Sequence, residues 1–178
     1  VGKWRLLSLF PIGVAILIAV MYRAPDIVIS SEGNVMMVRD GEIGYFSTLR
    51  KERFVREQWA KHFELEDSKP FPREGNIQLS DEGKISCDRR VCRIEVGDKK
   101  ISYGSSYDAL RRDCAWAEYL VSPKKLGRKF CEGVPKDVIL YDGWFFEKNG
   151  AVAFSSGEEF PVTSRDVRGW RPWSRAPD

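Results

Sequence analysis

Residues 6–22 form an uncharged, almost entirely apolar run, and this run constrains the chain more than any other feature. It has about 17 residues, near the minimum that crosses a hydrocarbon core about 30 Å thick. Trp4 and Tyr22 flank it, as aromatic side chains do at the two headgroup layers of a membrane. The run therefore predicts one transmembrane helix within residues 1–23, and residues 24–178 remain for a separate domain.

The charges beside this run indicate which side of the membrane the domain occupies. Lys3 and Arg5 precede the run, so the positive-inside rule places the N-terminus in the cytoplasm and residues 24–178 outside it. A cleavable signal peptide is a second interpretation, although residues 19–22 lack the small residues of a cleavage site. A buried core helix is a third, although few soluble helices are apolar on every face. The first interpretation predicts a single-pass protein of the inner membrane with a periplasmic domain.

Residues 24–178 alternate between short β-branched runs and helical patterns, which is typical of an α+β domain. The predicted strands are residues 26–30, 34–39, 43–47, 84–87, 91–96, 99–103, 118–122, 137–141, 151–154 and 160–163, the last two at sheet edges. The predicted helices are residues 51–63 and 106–115. Because 118–122 and 137–141 are almost continuously apolar, we expect them to be buried central strands of one mixed sheet.

The helix predicted at residues 51–63 is amphipathic. Its large apolar side chains fall near one face and are Phe54, Val55, Trp59 and Phe63. Charged residues occupy the rest of its surface. We expect the apolar face to pack against the sheet and the charged surface to meet solvent.

The four cysteines form two pairs that are local in the sequence. A hairpin would place Cys87 and Cys92 opposite each other at a Cα separation of about 4.5 Å, near the lower limit for a disulfide. Four cysteines allow three connectivities, and we prefer Cys87–Cys92 with Cys114–Cys131 because both loops are short. A zinc site and free thiols are the alternatives, although only one pair approaches the spacing of a zinc knuckle. Disulfides would agree with a location outside the cytoplasm.

The sequence offers little for catalysis. His62 is the single histidine, and one histidine cannot build the cluster that a hydrolytic metal centre needs. The carboxylates near the apolar strands, Asp113, Glu118, Asp137 and Asp142, are more typical of helix termini and strand ends than of an acid–base pair. The glycine motifs that bind phosphates or dinucleotides are missing from the sequence. We therefore expect no enzymatic activity, no metal and no cofactor.

The C-terminal tail is basic and aromatic. Its candidate contacts for nucleic acid are Arg165, Arg168, Trp170, Arg171 and Trp173, since arginines bind phosphates and aromatic rings stack on bases. The competing interpretation is that the tail packs on its own sheet with the arginines solvated. The formal charge of +3 for the whole chain is too small to indicate a dedicated nucleic-acid-binding protein.

Short motifs spread along the chain resemble those of one protein family. They are the run 24–29 after the apolar segment, the Cys87–Cys92 hairpin, the segment 113–118 leading into 120–122, Cys131, and the closing run 168–173. In these motifs the chain resembles the C-terminal part of ComEC-type competence proteins, especially those of the alphaproteobacterial branch. The resemblance covers essentially all of this chain and only part of such a protein.

The resemblance implies a role in DNA uptake. Members of that family are inner-membrane proteins with many helices, and they form the channel for one DNA strand during natural transformation. Many of them end in a domain similar to metallo-β-lactamases, with a metal site rich in histidine and aspartate. This sequence has no H-x-H-x-D-H run, so the resemblance implies a degenerate, metal-free relative without nuclease activity. Because the chain starts with Val1, we also expect it to be a fragment or the product of a split gene.

The expected function is that of a non-catalytic extracytoplasmic domain in a DNA-uptake system. Its expected partners are the upstream channel-forming membrane segments, single-stranded DNA and the lipid bilayer, and the sequence does not indicate an oligomeric state. A membrane-anchored protein-interaction domain unrelated to DNA is the alternative function.

Overall fold

A computed structural model of the chain describes residues 11, 13–14, 24–80, 83–127, 129–134, 137–155 and 161–169. The strands in these ranges are β1 (Ile27–Ile29), β2 (Met36–Asp40), β3 (Ile43–Phe46), β4 (Asp67–Pro70), β5 (Gly75–Gln78), β6 (Lys84–Cys87), β7 (Val91–Val96), β8 (Lys99–Gly104), β9 (Tyr119–Val121), β10 (Ile139–Tyr141), β11 (Val152–Phe154) and β12 (Val162–Thr163). The helices that follow residue 24 are α1 (Arg53–His62), α2 (Tyr107–Asp113), α3 (Gly143–Asn149) and α4 (Ser164–Arg168).

The first sheet orders its strands β12-β11-β1-β2-β3-β4. Its centre is an antiparallel meander of β1, β2 and β3, as the sequence predicts. The tight turn between β2 and β3 needs Gly41, whose φ of 61° lies in the left-handed region that glycine adopts without strain. Strand β4 joins the edge in parallel with β3, so the sheet is mixed.

The second sheet orders its strands β10-β9-β8-β7-β6-β5. Strands β5 to β8 pair in antiparallel fashion through short turns. Strands β8, β9 and β10 are parallel to one another, and α2 lies in the crossover between β8 and β9. The second sheet is therefore also mixed. Antiparallel hairpins form one side of it, and parallel strands joined by crossover connections form the other.

The main core lies between the two sheets. Alternate residues of each strand point inward, so Ile29 and Met36 of the first sheet share a fully buried cluster with Ile85, Ile94 and Ile101 of the second. Burial of five such side chains contributes roughly 1.5–3 kcal/mol each to the hydrophobic stabilisation of the domain. This core fixes the two sheets face to face.

Helices cover the outer faces of the sheets. Trp59 of α1 and Phe63 just after it pack against Met37 and Phe46 on the outside of the first sheet. Leu110 of α2 belongs to a second cluster, on the outside of the other sheet. These contacts bury the remaining apolar positions of the central strands, and the result is a mixed α+β fold in four layers.

Several elements differ from the sequence-based expectation. The sequence predicts no strand in the polar segment that forms β4 and β5, because an edge strand can be held by backbone hydrogen bonds without an apolar face. Strand β10, expected to be central, is at a sheet edge, whereas β11, expected at an edge, lies between β1 and β12. Helix α3 is not predicted either.

The predicted fold class has to be corrected. A spanning helix needs about 20 residues, and α1, the longest of the four helices given above, has 10. No helix within the described residues is long and apolar enough to cross a membrane. Of the segment 1–23, in which that helix was expected, only residues 11, 13 and 14 are described. The structure supports a mixed α+β fold with two six-stranded sheets, in place of one mixed sheet preceded by a transmembrane helix.

Candidate nucleic-acid interface

A disulfide-closed hairpin presents two arginines at its tip. The backbone N–H of Asp88 donates to the carbonyl of Val91 at 2.9 Å, which leaves Arg89 and Arg90 as the turn between β6 and β7. The Asp88 carboxylate accepts hydrogen bonds from the backbone N–H groups of Arg90 at 2.6 Å and of Val91 at 2.9 Å. The turn is therefore tied down by the residue that precedes it, and both arginine side chains are exposed.

The Asp88 carboxylate is held in its charged form. Burial would raise its pKa, but the backbone hydrogen bonds from Arg90 and Val91 lower it, and the charges of Arg112 and Arg93 lower it further. The net effect is a pKa below the ordinary value for aspartate. Because the pKa of Asp88 is lower in the folded chain, the charged carboxylate stabilises the turn at neutral pH. This stabilisation is lost as the pH falls through the folded-state pKa.

The base of the hairpin is closed by a disulfide. Cys87 and Cys92 are opposite each other in the register of β6 and β7, and their Cα atoms are 4.0 Å apart. The second disulfide joins Cys114, at the end of α2, to Cys131, with 5.6 Å between the Cα atoms. This is the connectivity that the sequence analysis preferred, and all four cysteines are used.

Two adjoining clefts lie on either side of this hairpin. They have volumes of about 250 and 710 Å³, and both are lined by Ser47, Asp88, Arg89 and Cys92. The smaller cleft lies where loops of the two sheets meet, beside β3, the hairpin turn, and the ends of β8 and β9. The arginine turn therefore projects beside an open groove and not from an isolated loop.

Positive charge exceeds negative charge along these clefts. The basic residues there are Lys51, Arg73, Arg89 and Arg90, and the acidic ones are Glu74 and Asp88. Arg89 is paired with Glu74, and Asp88 is occupied within the turn. Within the part of the chain that the structure describes, the side chains of Lys51, Arg73 and Arg90 form no ion pair. Three exposed cations are thus free to meet an anionic ligand.

The floor of the smaller cleft joins the two sheets. The Tyr103 hydroxyl donates to the carbonyl oxygen of Asn34 at 2.8 Å and accepts from the Ser47 hydroxyl at 3.3 Å. Burial raises the pKa of Tyr103, and although the Ser47 hydrogen bond lowers it, the net shift is upward, so the phenol stays protonated at neutral pH. Gly104 follows, and a Cβ there would lie 2.8 Å from the Arg90 carbonyl oxygen. A glycine is needed at this position for the arginine turn to lie against β8.

An exposed aromatic ring lies close to the same cleft. Pro123 lines the cleft, and Lys125 is two residues further, within about 7 Å along the chain. The Lys125 ammonium lies 3.9 Å from the centroid of the Trp144 ring and 2.7 Å from the Glu147 carboxylate. Trp144 nevertheless remains 59% exposed. An indole this exposed, beside a basic groove, is suited to stacking on an unpaired base.

Hydrogen bonds of Asp142 hold the start of α3, and with it Trp144, beside the loop that contains Lys125. The Asp142 carboxylate accepts from the backbone N–H of Phe145 at 3.1 Å, which caps α3. The other carboxylate oxygen accepts from the backbone N–H of Leu126 at 2.8 Å and of Gly127 at 3.2 Å, which holds the loop that contains Lys125. Asp113 is similarly occupied, by Arg93 and Ser102. These two buried carboxylates have the structural role that the sequence analysis favours.

The tail residues named as candidate contacts are only partly described. Arg165 is in α4, and its guanidinium donates to the carbonyl oxygen of Lys148 in α3 at 3.3 Å. Arg168, the last residue of α4, is exposed. Trp170, Arg171 and Trp173 lie outside the described residues. The structure therefore places Arg165 against the helix that carries Trp144, and of the described tail residues neither Arg165 nor Arg168 lines the two clefts around the hairpin.

Sequence analysis missed the residues that form the interface. The adjacent arginines at 89 and 90, between two cysteines, could have indicated an exposed basic turn, because a two-residue turn exposes both side chains. Nothing in the sequence indicated that Lys51 and Arg73, which are distant along the chain, lie beside that turn. Trp144 gave no signal, since a tryptophan next to Phe145 and Phe146 is equally typical of a core.

No group of three or more histidine, cysteine, aspartate or glutamate side chains in the described ranges is arranged to hold a metal ion. Comparison of the chain with models of protein families, with curated proteins and with solved structures gave no match.

Proposed function

We propose that this chain is the C-terminal, extracytoplasmic domain of a ComEC-type DNA-uptake protein and that it guides a single DNA strand without cutting it. The strand would lie in the clefts beside the hairpin, with its phosphates near Lys51, Arg73 and Arg90 and a base on Trp144. The upstream channel-forming segments of the same system, at the inner membrane, would be its partners. The resemblance in short motifs supports the proposed membership of the ComEC-type family, and the basic clefts support the proposed guiding of a DNA strand.

The observation that carries the guiding role is a set of exposed cations beside a groove, with no ion pair to any described residue, together with an exposed indole. Non-specific binding of single strands requires cations that follow the backbone and rings on which bases stack. Lys51, Arg90 and Trp144 supply both. The two disulfides support a location outside the cytoplasm, where such bonds persist.

The first test removes two cations from the cleft. In the full chain, Lys51→Ala with Arg90→Ala is expected to weaken binding of a fluorescent single-stranded oligonucleotide. The slope of log Kd against log salt concentration is expected to fall by about 1.4, since each lost phosphate contact removes about 0.7 for single strands. Fluorescence anisotropy over a series of salt concentrations measures both quantities.

The matched control removes two cations from the end of the second sheet that lies away from Arg90. Lys84 and Lys100 both pair across the sheet with Glu95, about 13 Å along β7 from Val91. Lys84→Ala with Lys100→Ala is expected to leave the salt slope nearly unchanged. Equal losses in the two double variants, or no binding by the unaltered chain at low salt, would contradict the guiding role and favour a protein-interaction domain.

A second test removes the exposed indole. Trp144→Ala is expected to reduce the affinity for single strands by roughly 5-fold to 150-fold, because stacking of one base contributes about 1–3 kcal/mol. The salt slope should stay the same, since no phosphate contact is lost. Duplex DNA of the same length should show no such loss, because its bases are already stacked. An equal loss for duplex DNA would show that Trp144 does not stack on bases.

A further inference from the structure

The surface of α1 that faces away from the sheet has an unusual composition. Phe54 is 72% exposed, although the sequence predicts that it packs with Trp59. Five residues along a helix correspond to a rotation of about 140°, so these two rings lie on opposite faces. Trp59 takes the buried face, and Phe54 therefore points outward. Leu49, just before the helix, is also exposed, and apolar side chains that are exposed near one another with a polar rim are typical of interaction sites.

Basic residues lie on both sides of this ring along the chain. Gln58 and Lys61 are four and seven residues after Phe54 and lie on the same outward face of α1. Arg50 and the exposed Leu49 are in the loop just before the helix. In the described part of the chain, neither Arg50 nor Lys61 forms an ion pair. We call the surface of Leu49, Arg50, Phe54, Gln58 and Lys61 the outer face of α1.

Two acidic groups near the outer face are already occupied. Glu57 accepts a hydrogen bond from the Arg53 guanidinium at 2.7 Å, and this pair is exposed at the side of the helix. Glu52 accepts from the hydroxyl of Ser30 at 3.2 Å, toward the sheet. Residues 49–62 contain five lysines and arginines and two glutamates. The surface around Phe54 and Leu49 is therefore positively charged.

We propose that the outer face of α1 docks on an anionic lipid surface. Phenylalanine and leucine would enter the boundary between headgroups and acyl chains, and Arg50 and Lys61 would meet the phosphates. A short helix that presents large apolar residues between cations binds in the plane of a membrane interface in this way. Charge complementarity selects anionic lipid as the occupant, because a zwitterionic headgroup carries a compensating positive charge beside its phosphate, whereas an anionic surface has the negative potential that attracts Arg50 and Lys61.

This docking differs from the proposed function in residues and in ligand. The nucleic-acid clefts use Lys51, Arg73 and Arg90, and none of the five residues of the outer face lines them. The lipid contact would orient the domain on a bilayer whether or not the domain binds DNA. Failure of one proposal therefore leaves the other standing.

The test uses a polarity-sensitive dye on the full chain. All four native cysteines are in disulfides, so a Gln58→Cys variant has one reactive thiol for the dye. Vesicles of phosphatidylglycerol are expected to shift the emission of this dye to the blue, and vesicles of phosphatidylcholine are not. A dye at Asp98→Cys, in the exposed turn between β7 and β8, is the matched control and is expected not to respond.

Two further changes separate apolar from charged contributions. Phe54→Ser is expected to abolish the blue shift of the dye at position 58 while leaving the unfolding transition unchanged, since the ring is exposed. Arg50→Glu with Lys61→Glu is expected to raise the lipid concentration for half-maximal shift by about tenfold or more. Arg73→Ala with Arg90→Ala is expected to have little effect on it.

Three results would overturn the lipid docking. They are no shift at position 58 with either type of vesicle, an equal shift at positions 58 and 98, and a shift that survives Phe54→Ser. A response of the dye at position 58 to a single-stranded oligonucleotide, without a response to vesicles, would also overturn it, because the outer face would then belong to the nucleic-acid interface.

Discussion

Replacing Cys114 and Cys131 together by alanine is expected to lower the free energy of unfolding by about 3 kcal/mol. The bond closes a loop with a sequence separation of 17, and its loss lets the unfolded chain gain the entropy that the cross-link removes. Cys114 is also fully buried against Leu110 and Phe130, so alanine leaves part of this cluster less well packed. Urea denaturation without a reductant, followed by tryptophan fluorescence, measures the change.

The other disulfide provides the comparison. Cys87→Ala with Cys92→Ala opens a loop with a separation of only 5, and the same relation gives about 2 kcal/mol. We therefore expect the order of stability to be unaltered chain, hairpin variant, Cys114–Cys131 variant. The reverse order of the two variants would mean that the loop closed by Cys114–Cys131 remains structured after unfolding.

Replacing Asp113 by alanine is expected to lower the free energy of unfolding by about 2–3 kcal/mol. Asp113 is 1% exposed, and its carboxylate accepts from the Ser102 hydroxyl at 2.7 Å and from Nε of Arg93 at 3.0 Å. Ser102 is completely buried, so its hydroxyl would lose its partner without gaining water. The Arg93 side chain is 49% exposed and can turn to solvent, so the loss stays below that of a fully buried ion pair.

A double-mutant cycle checks this explanation. If the loss in Asp113→Ala arises mainly from the stranded Ser102 hydroxyl, then adding Ser102→Ala should recover about 1 kcal/mol of it. Thermal and urea unfolding of the four chains supply the coupling energy. Strict additivity of the two single changes would mean that Asp113 acts through Arg93 alone.

Local sequence patterns were sufficient to predict much of the secondary structure. They failed for strands whose formation or placement depends on their neighbours in the sheet. The meander of β1 to β3 and the hairpin of β6 and β7 have alternating apolar residues and turn residues, so each is visible in a short window. Strand β4 has four exposed residues and is held by β3, which is more than twenty residues away. Whether a strand lies at the edge or in the centre of a sheet depends on such distant partners. This is why β10 was expected in the centre and β11 at an edge, the opposite of their places in the structure.

The interface was harder to predict than the fold. The sequence-based prediction grouped Phe54 with Trp59 on one face, but a separation of five residues turns the two side chains about 140° apart. Only one side of α1 contacts the sheet, and Trp59 takes that side. The clefts arise where loops from both sheets meet, so Lys51, Arg73 and Arg90 come together only after the sheets have packed. The cysteine pairs were accessible from the sequence because both close short loops.

The hydrogen bonds of Tyr103 have a consequence for how the groove responds to change. One phenol from the second sheet is bonded to the loop between β1 and β2 and to Ser47 of the first, so it acts as a spacer that sets the gap between the two walls. Longer surface loops would raise the rims of the groove without widening it. Any occupant that pushed the two walls apart would have to break these hydrogen bonds, so Tyr103 adds to the resistance that the shared core already gives.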